Sequence, residues 1–173
     1  SLGLGAGSAS LTCDGCPQYG GTEPSGYLRL GGYVSPALYV AVESDGDKAV
    51  FINCRFIGNQ DVLFTNSERS RQYYENCYIE GTTDFIFGSS TVWFQKCRIY
   101  SKKNSHVTAA STPKEKEFGY VFNWCELDGD TSLHNVSLGR PWRPYAAVAY
   151  LHCYIGLHIK AEGWSVWNNN NNH

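Results

Sequence analysis

Two aspartates, Asp61 and Asp84, stand seven residues after a cysteine, Cys54 and Cys77 respectively. Those cysteines belong to a series: Cys54, Cys77, Cys97, Cys125 and Cys153. Three residues before each is an aromatic: Phe51, Tyr74, Phe94, Phe122 and Tyr150. Two residues after each is a large apolar residue: Phe56, Ile79, Ile99, Leu127 and Ile155. If each repeat is one coil of a stack, equal offsets are equal places around the coil. Asp61 and Asp84 then become lateral neighbours, about 4.8 Å apart at the backbone. Two carboxylates that close split their pKa values, as the acid/base pair of a hydrolase requires.

Three segments carry the candidate chemistry: Gly58-Asn-Gln-Asp-Val-Leu-Phe64, Gly81-Thr-Thr-Asp-Phe-Ile-Phe-Gly88 and Leu138-Gly-Arg-Pro-Trp142. Each alone reads equally well as a turn, since Asp and Asn cap turns and Gly bends them. Together they say more. Asp84 lies thirteen residues before Cys97, and Arg140 thirteen before Cys153, so both can reach one strip of surface. The histidines are scattered, and His152, beside Cys153, reads as a packing or solvent-facing residue. No clustered His/Cys ligand set suggests a metal. Ser89 and Ser90 lack the Gly-x-Ser-x-Gly pattern of a nucleophile elbow.

The elements that must position these residues are short strands. Runs such as Ala49-Val-Phe-Ile52 and Val92-Trp-Phe94 alternate with Gly, Asn, Asp and Ser clusters, and no long segment holds a helical period. Cysteine spacings of 23, 20, 28 and 28 residues suit a coil of three strands and three turns. The reading is all-β, a right-handed parallel β-helix. A sandwich does not explain the equal offsets, and a propeller blade takes more residues. The three-residue step from aromatic to cysteine breaks strict alternation and predicts a bulge or corner there. Gly58, Gly81 and Gly129, each four residues after its cysteine, are expected in turns needing positive φ. Residues 1–32 read as an irregular Gly/Ser-rich arm or partial cap, 33–167 as the solenoid, and 168–173 as a low-complexity tail.

The bulk numbers set limits. With 173 residues, 42% apolar and 17% charged, the chain is long and apolar enough for one globular domain. A net charge of −2 gives no footprint for nucleic acid or an anionic membrane. No apolar run reaches the roughly 20 residues of a membrane span. Ser1–Ser10 does not resemble a signal peptide, and a chain without Met reads as a processed or excised piece. The repeated cysteines are expected as buried core thiols. Cys13 and Cys16 are expected as a local disulfide or two free thiols. Asn135-Val-Ser137 is a glycosylation sequon.

The three segments, in this order, resemble the signature regions of the pectin methylesterases, which demethylate homogalacturonan. Thr108-Ala-Ala-Ser-Thr-Pro113, Gly163-Trp164 and Trp167 are also similar to family segments, and the likeness runs from about Ala37 to Trp167. The resemblance implies a parallel β-helix with an open groove and residue roles within it. Asp84 would be the nucleophile and Asp61 the general acid, then base. Gln60 would donate to the oxyanion, and Arg140 would keep Asp84 charged and aimed. Trp142 would stack on a sugar ring, with Phe64, Phe87 and Thr83 lining the groove. It implies no cofactor, methyl-esterified polygalacturonate as partner, a monomer that self-associates if its end is uncapped, and a secreted, extracellular or periplasmic protein.

The chain also departs from the family. Residues 1–32 do not resemble the family's N-terminal region. Val34 falls about where a second oxyanion glutamine is expected, a loss worth about 10²-fold in rate. Asn59 and Phe64 replace tyrosines, and Thr83 a valine. The competing readings are a pectin-binding module without turnover or a truncated inactive esterase fragment, a β-helix lyase or glycosidase, and a purely structural β-helix. A lyase would want a calcium-binding carboxylate cluster. A glycosidase would want two carboxylates flanking a glycosidic bond.

Overall fold

The structure, a computed structural model, describes residues 10–13, 18–19, 28–35 and 38–168. In chain order the strands are β1 (Ser10–Cys13), β2 (Gln18–Tyr19), β3 (Leu28–Ser35), β4 (Leu38–Ser44), β5 (Ala49–Ile52), β6 (Cys54–Ile57), β7 (Leu63–Thr65), β8 (Arg71–Glu75) and β9 (Tyr78–Gly81). They continue with β10 (Ile86–Gly88), β11 (Thr91–Gln95), β12 (Arg98–Ser101), β13 (His106–Ala110), β14 (Tyr120–Asn123), β15 (Glu126–Gly129), β16 (Ser137–Gly139), β17 (Val148–Leu151) and β18 (Tyr154–Ile155). From β4 onward the chain visits three sheets in rotation. Sheet one holds β4, β7, β10, β13 and β16. Sheet two holds β5, β8, β11, β14 and β17, and sheet three β6, β9, β12, β15 and β18. Neighbours in this series all pair in parallel. This is the parallel β-helix that the repeat predicts.

Repeated side chains build its core as ladders. The inward aromatics of sheet two, Phe51, Tyr74, Phe94, Phe122 and Tyr150, stack with centroids 4.7, 5.0, 4.4 and 4.6 Å apart. Those gaps are about the spacing between strands, so each coil places its ring directly over the last. Phe56, Ile79, Ile99 and Leu127 form a second buried file in sheet three. Between the two files the residue before each cysteine turns the corner. Asn53, Asn76, Lys96, Trp124 and His152 have φ of 54, 52, 51, 54 and 53°. One left-handed residue lets both the aromatic and the cysteine point inward, which accounts for the three-residue step.

The glycine expectation is corrected. Among the described glycines positive φ occurs at Gly88 and Gly163, not at Gly58, Gly81 or Gly129. Gly81 is needed for space instead: a Cβ there would lie 2.3 Å from the Phe85 Cβ and 2.6 Å from the Asn59 carbonyl oxygen. The cysteine expectation is corrected as well. Cys13 is disulfide-bonded to Cys54, because β1 lies antiparallel on β6 and sets these two residues opposite each other. Cys54 is therefore no free core thiol, and Cys16 lies outside the described residues. Cys77, Cys97 and Cys125 are buried and free, and Cys153, on the last coil, is half-buried.

The first coil is flanked by antiparallel strands in all three sheets: β3 on β4, β2 on β5 and β1 on β6. The stretch expected as an irregular arm or partial cap contributes strands that pair with edges otherwise open to other chains. At the other end, isolated bridges Val136 to Ile159 and Gly139 to Trp164 run along β16. Most of residues 1–32, and residues 169–173 of the tail, lie outside the described residues. Among the described residues no helix is long and apolar enough to cross a membrane.

Candidate active site

The site is built on sheet one. Leu63 of β7 is in register with Ile86 of β10, which is in register with Thr108 of β13. Two residues ahead of this row stand Asp61, Asp84 and His106, and His106 is in register with Ser137 of β16. The equal offsets in sequence are equal places in space. The Asp61 amide donates to the Thr83 carbonyl at 3.2 Å, and the Asp84 amide to the His106 carbonyl at 2.8 Å. Asp61 and Asp84 both adopt left-handed backbone, φ 55 and 49°. Such conformations cost free energy outside glycine, persist where the surroundings enforce them, and cluster at working sites.

Arg140 follows β16, and its amide is fixed by the Thr108 carbonyl at 3.0 Å. Its guanidinium grips Asp84 at both oxygens, Nε to Oδ1 at 3.1 Å and Nη2 to Oδ2 at 2.6 Å. The side chains are 20% and 7% exposed, so this two-pronged contact is largely shielded from water. The guanidinium also lies over the Trp167 ring, 4.1 Å from its centroid. Asp84 is thereby aimed by an arginine that is itself held in place.

Asp61 is 7% exposed. Burial raises its carboxyl to about 6, the Gln60 amide opposes the rise, and the charge of Asp84 adds to it. Sequence reasoning placed the cause in Asp84; desolvation is the larger. Gln60 Nε2 donates to Asp61 Oδ2 at 3.2 Å. Gln60 and Asn59 are exposed, so the amide can swing toward a substrate. Lys102 steadies this turn, donating to the Gly58 carbonyl and, at 3.1 Å, to Glu80 Oε1.

The expected groove aromatics divide into floor and wall. Phe64 and Phe87 stack at 4.5 Å and are nearly buried, packed with Ala109 beneath Trp142 and Trp167. Trp142 is half-buried and tilts against Phe87 at 6.0 Å. Thr83 is half-buried and donates to Ser105 Oγ at 2.9 Å. Val34 stands on β3, with β4 between it and β7.

Sequence reasoning missed two neighbours. The sequence marks Trp167 as part of a similar segment without pointing to a role. His106 was passed over among scattered histidines, yet it extends the aspartate file, with Nδ1 2.7 Å from Ser137 Oγ. Burial and the Arg140 charge lower its pKa, so it is neutral at neutral pH. The shared offset of Asp61 and Asp84 signals a file along the coils, and following it one coil further reaches His106. Among the described residues no three His, Cys, Asp or Glu side chains converge as a metal site.

Fold and site together define a β-helix protein with a buried pair of carboxylates, one of them gripped by arginine, above an aromatic floor. A model of the Pectinesterase family matches residues 34–173, and the chain belongs to that family. It is 40% identical to "Pectinesterase 31" of Arabidopsis thaliana over 77% of this chain and 42% of that protein. It is 38% identical to "Probable pectinesterase A" of Neosartorya fischeri over 79% of this chain and 43% of that one. Among solved structures, the pectin methylesterase of Aspergillus niger superposes with a TM-score of 0.72 at 34% identity, covering 80% of this chain and 47% of that one. The carrot enzyme gives 0.64 at 31%, covering 70% and 41%. The chain thus spans less than half the length of these relatives.

Proposed function

We propose that the chain is a pectinesterase that hydrolyses methyl esters of homogalacturonan to free carboxylate and methanol. The observation that carries this reading is the asymmetric carboxylate pair: Asp84 gripped by Arg140, beside Asp61 with its proton held up to about 6. A nucleophile must be charged and a general acid must not be.

The Asp84 carboxylate attacks the ester carbonyl, and the carbonyl pair moves to oxygen. Gln60 turns its amide toward that oxyanion. Collapse expels methoxide, which takes the Asp61 proton and leaves as methanol. The galacturonosyl group is then joined to Asp84 as an anhydride. Asp61, now charged, takes a proton from water, whose oxygen attacks the acyl carbon. Collapse frees Asp84 and the product carboxylic acid, and Asp61 is again protonated. Arg140 keeps the Asp84 oxygens aligned in both halves. The cycle uses side chains alone. Trp142 stacks on a sugar ring, while Thr83 and the Phe64–Phe87 floor shape the groove. Residues 33–167 form the catalytic unit, and the protein acts as a secreted monomer on cell-wall pectin. A structural neighbour described as in complex with a hexasaccharide, 25% identical with a TM-score of 0.62, is compatible with a sugar polymer in such a groove.

Methanol release from highly methylated pectin tests the reading, after circular dichroism establishes β-structure. The folded chain is expected to release methanol and an Asp84→Ala variant at most a residual trace. A folded chain that binds pectin without releasing methanol would overturn the catalytic reading and leave a pectin-binding module.

A further inference from the structure

Away from the groove, on the corner between sheets two and three, lies an ordered polar and aromatic surface that the proposed reaction does not use. Its residues come from β11, β14 and the left-handed file. Two indoles are exposed there, Trp93 at 40% and Trp124 at 61%. Gln95 Oε1 accepts from Trp93 Nε1 at 3.0 Å and from Asn123 Nδ2 at 2.9 Å, which turns its own NH2 group away from both. Asn123 Oδ1 accepts a hydrogen bond from His152 Nδ1 at 3.1 Å. The His152 ring stacks on Trp124 at 5.0 Å and 16°. Lys96 precedes Trp124 in the file and is exposed. Glu75, the carboxylate on the Gln95 row, is engaged by the Tyr73 hydroxyl at 3.3 Å.

Folding does not ask for these side chains. The corner needs only a left-handed backbone, which Asn53 and Asn76 supply on the earlier coils. An exposed indole in that conformation adds strain and uncovers apolar surface. What the surface provides is recognition chemistry: flat aromatic faces for the C–H face of a pyranose, oriented amides and an imidazole for hydroxyls, and an ammonium for a carboxylate. These groups stand on successive coils, about 4.8 Å apart, and so form a strip long enough for more than one sugar ring.

We propose that the Trp93–Gln95–Asn123–Trp124–His152 corner, with Lys96, is a second saccharide-binding site that takes an acidic polysaccharide chain. The choice of a polyuronate rests on the pectin reading of the groove together with the charge of Lys96. Such a site would hold the enzyme on the polymer between turnovers, raising the local concentration of substrate at the groove.

Calorimetric titration with a de-esterified oligogalacturonide, which cannot turn over, tests the proposal. The folded chain is expected to bind at two sites. Trp124→Asn, which installs the residue found at Asn53 and Asn76, should abolish one site or weaken it by roughly tenfold or more. Trp142→Ala should remove the other. Lys96→Gln should weaken the corner for the acidic oligomer and leave its affinity for a neutral galacto-oligosaccharide unchanged. An isotherm that Trp124→Asn leaves unaltered overturns the proposal. So does a single site that Trp142→Ala alone removes, or binding of neutral oligomers with none of the acidic one. If Trp124→Asn removes binding while Trp142→Ala has no effect, the corner stands and the groove reading fails.

Discussion

Asp61 makes the stability of the chain depend on pH. Its carboxyl titrates at about 6 in the folded chain against an ordinary 3.8. Between those values the folded state holds a proton that the unfolded state has lost. Its contribution to stability is therefore full below about 3.8 and disappears as pH rises through about 6. Asp61→Asn cannot ionise and escapes that loss. Its melting temperature relative to wild type should rise as the buffer goes from about pH 4 to about pH 7. A constant difference across that range would mean that the carboxyl is not raised. Methanol release should fall steeply in the same variant, which keeps the shape of the group without its proton. At this scale the sequence was partly legible: the offset of Asp61 and Asp84 from their cysteines is a coil address, whereas that of Arg140 is not, since Ser137 stands on the Asp84 row and the longer Arg140 side chain reaches back to it. Trp167 was less so, because it lies beyond the last repeat and has no address to compare.

The ladders are the elements that make the site possible, and their stability should depend on position along the stack. Phe94 lies between Tyr74 and Phe122, with rings 5.0 and 4.4 Å away, and is fully buried. Phe94→Ala should cost about 3–5 kcal/mol, read as a lower urea midpoint. Tyr150→Ala, on the last and half-buried coil, should cost less, although its hydroxyl donates to the Leu138 carbonyl at 3.0 Å. Equal losses would contradict a core built coil upon coil. The ladders could be read from sequence because every coil spends its inward positions alike. The glycines misled because sequence marks where a side chain is missing without saying why. Gly88 does take positive φ, at 127°, but at Gly81 the gain is room for Phe85 rather than an unusual backbone.

For the molecule as a whole, the first coil matters most, because a solenoid's stability is a sum over coils and their contacts. The Cys13–Cys54 disulfide closes a sequence separation of 41 and ties β1 to the first strand of sheet three. Cys13→Ser should lower unfolding free energy by about 2–4 kcal/mol. Reductant should lower the urea midpoint of the wild type and leave that variant unmoved. This pairing was not legible, since Cys13 belongs to no repeat and its partner is set by an antiparallel strand that the periodicity does not announce.

The left-handed corner file has a further consequence, for what selection has favoured in this chain. Five coils impose one backbone conformation, and asparagine, which tolerates it well, fills the first two. Tryptophan at the fourth is a costly choice by the measure of folding alone. Trp124→Asn should therefore raise the melting temperature even as it strips the corner of its larger ring. A variant at once sturdier and less able to hold a polysaccharide would place Trp124 among the residues where a protein trades robustness for use.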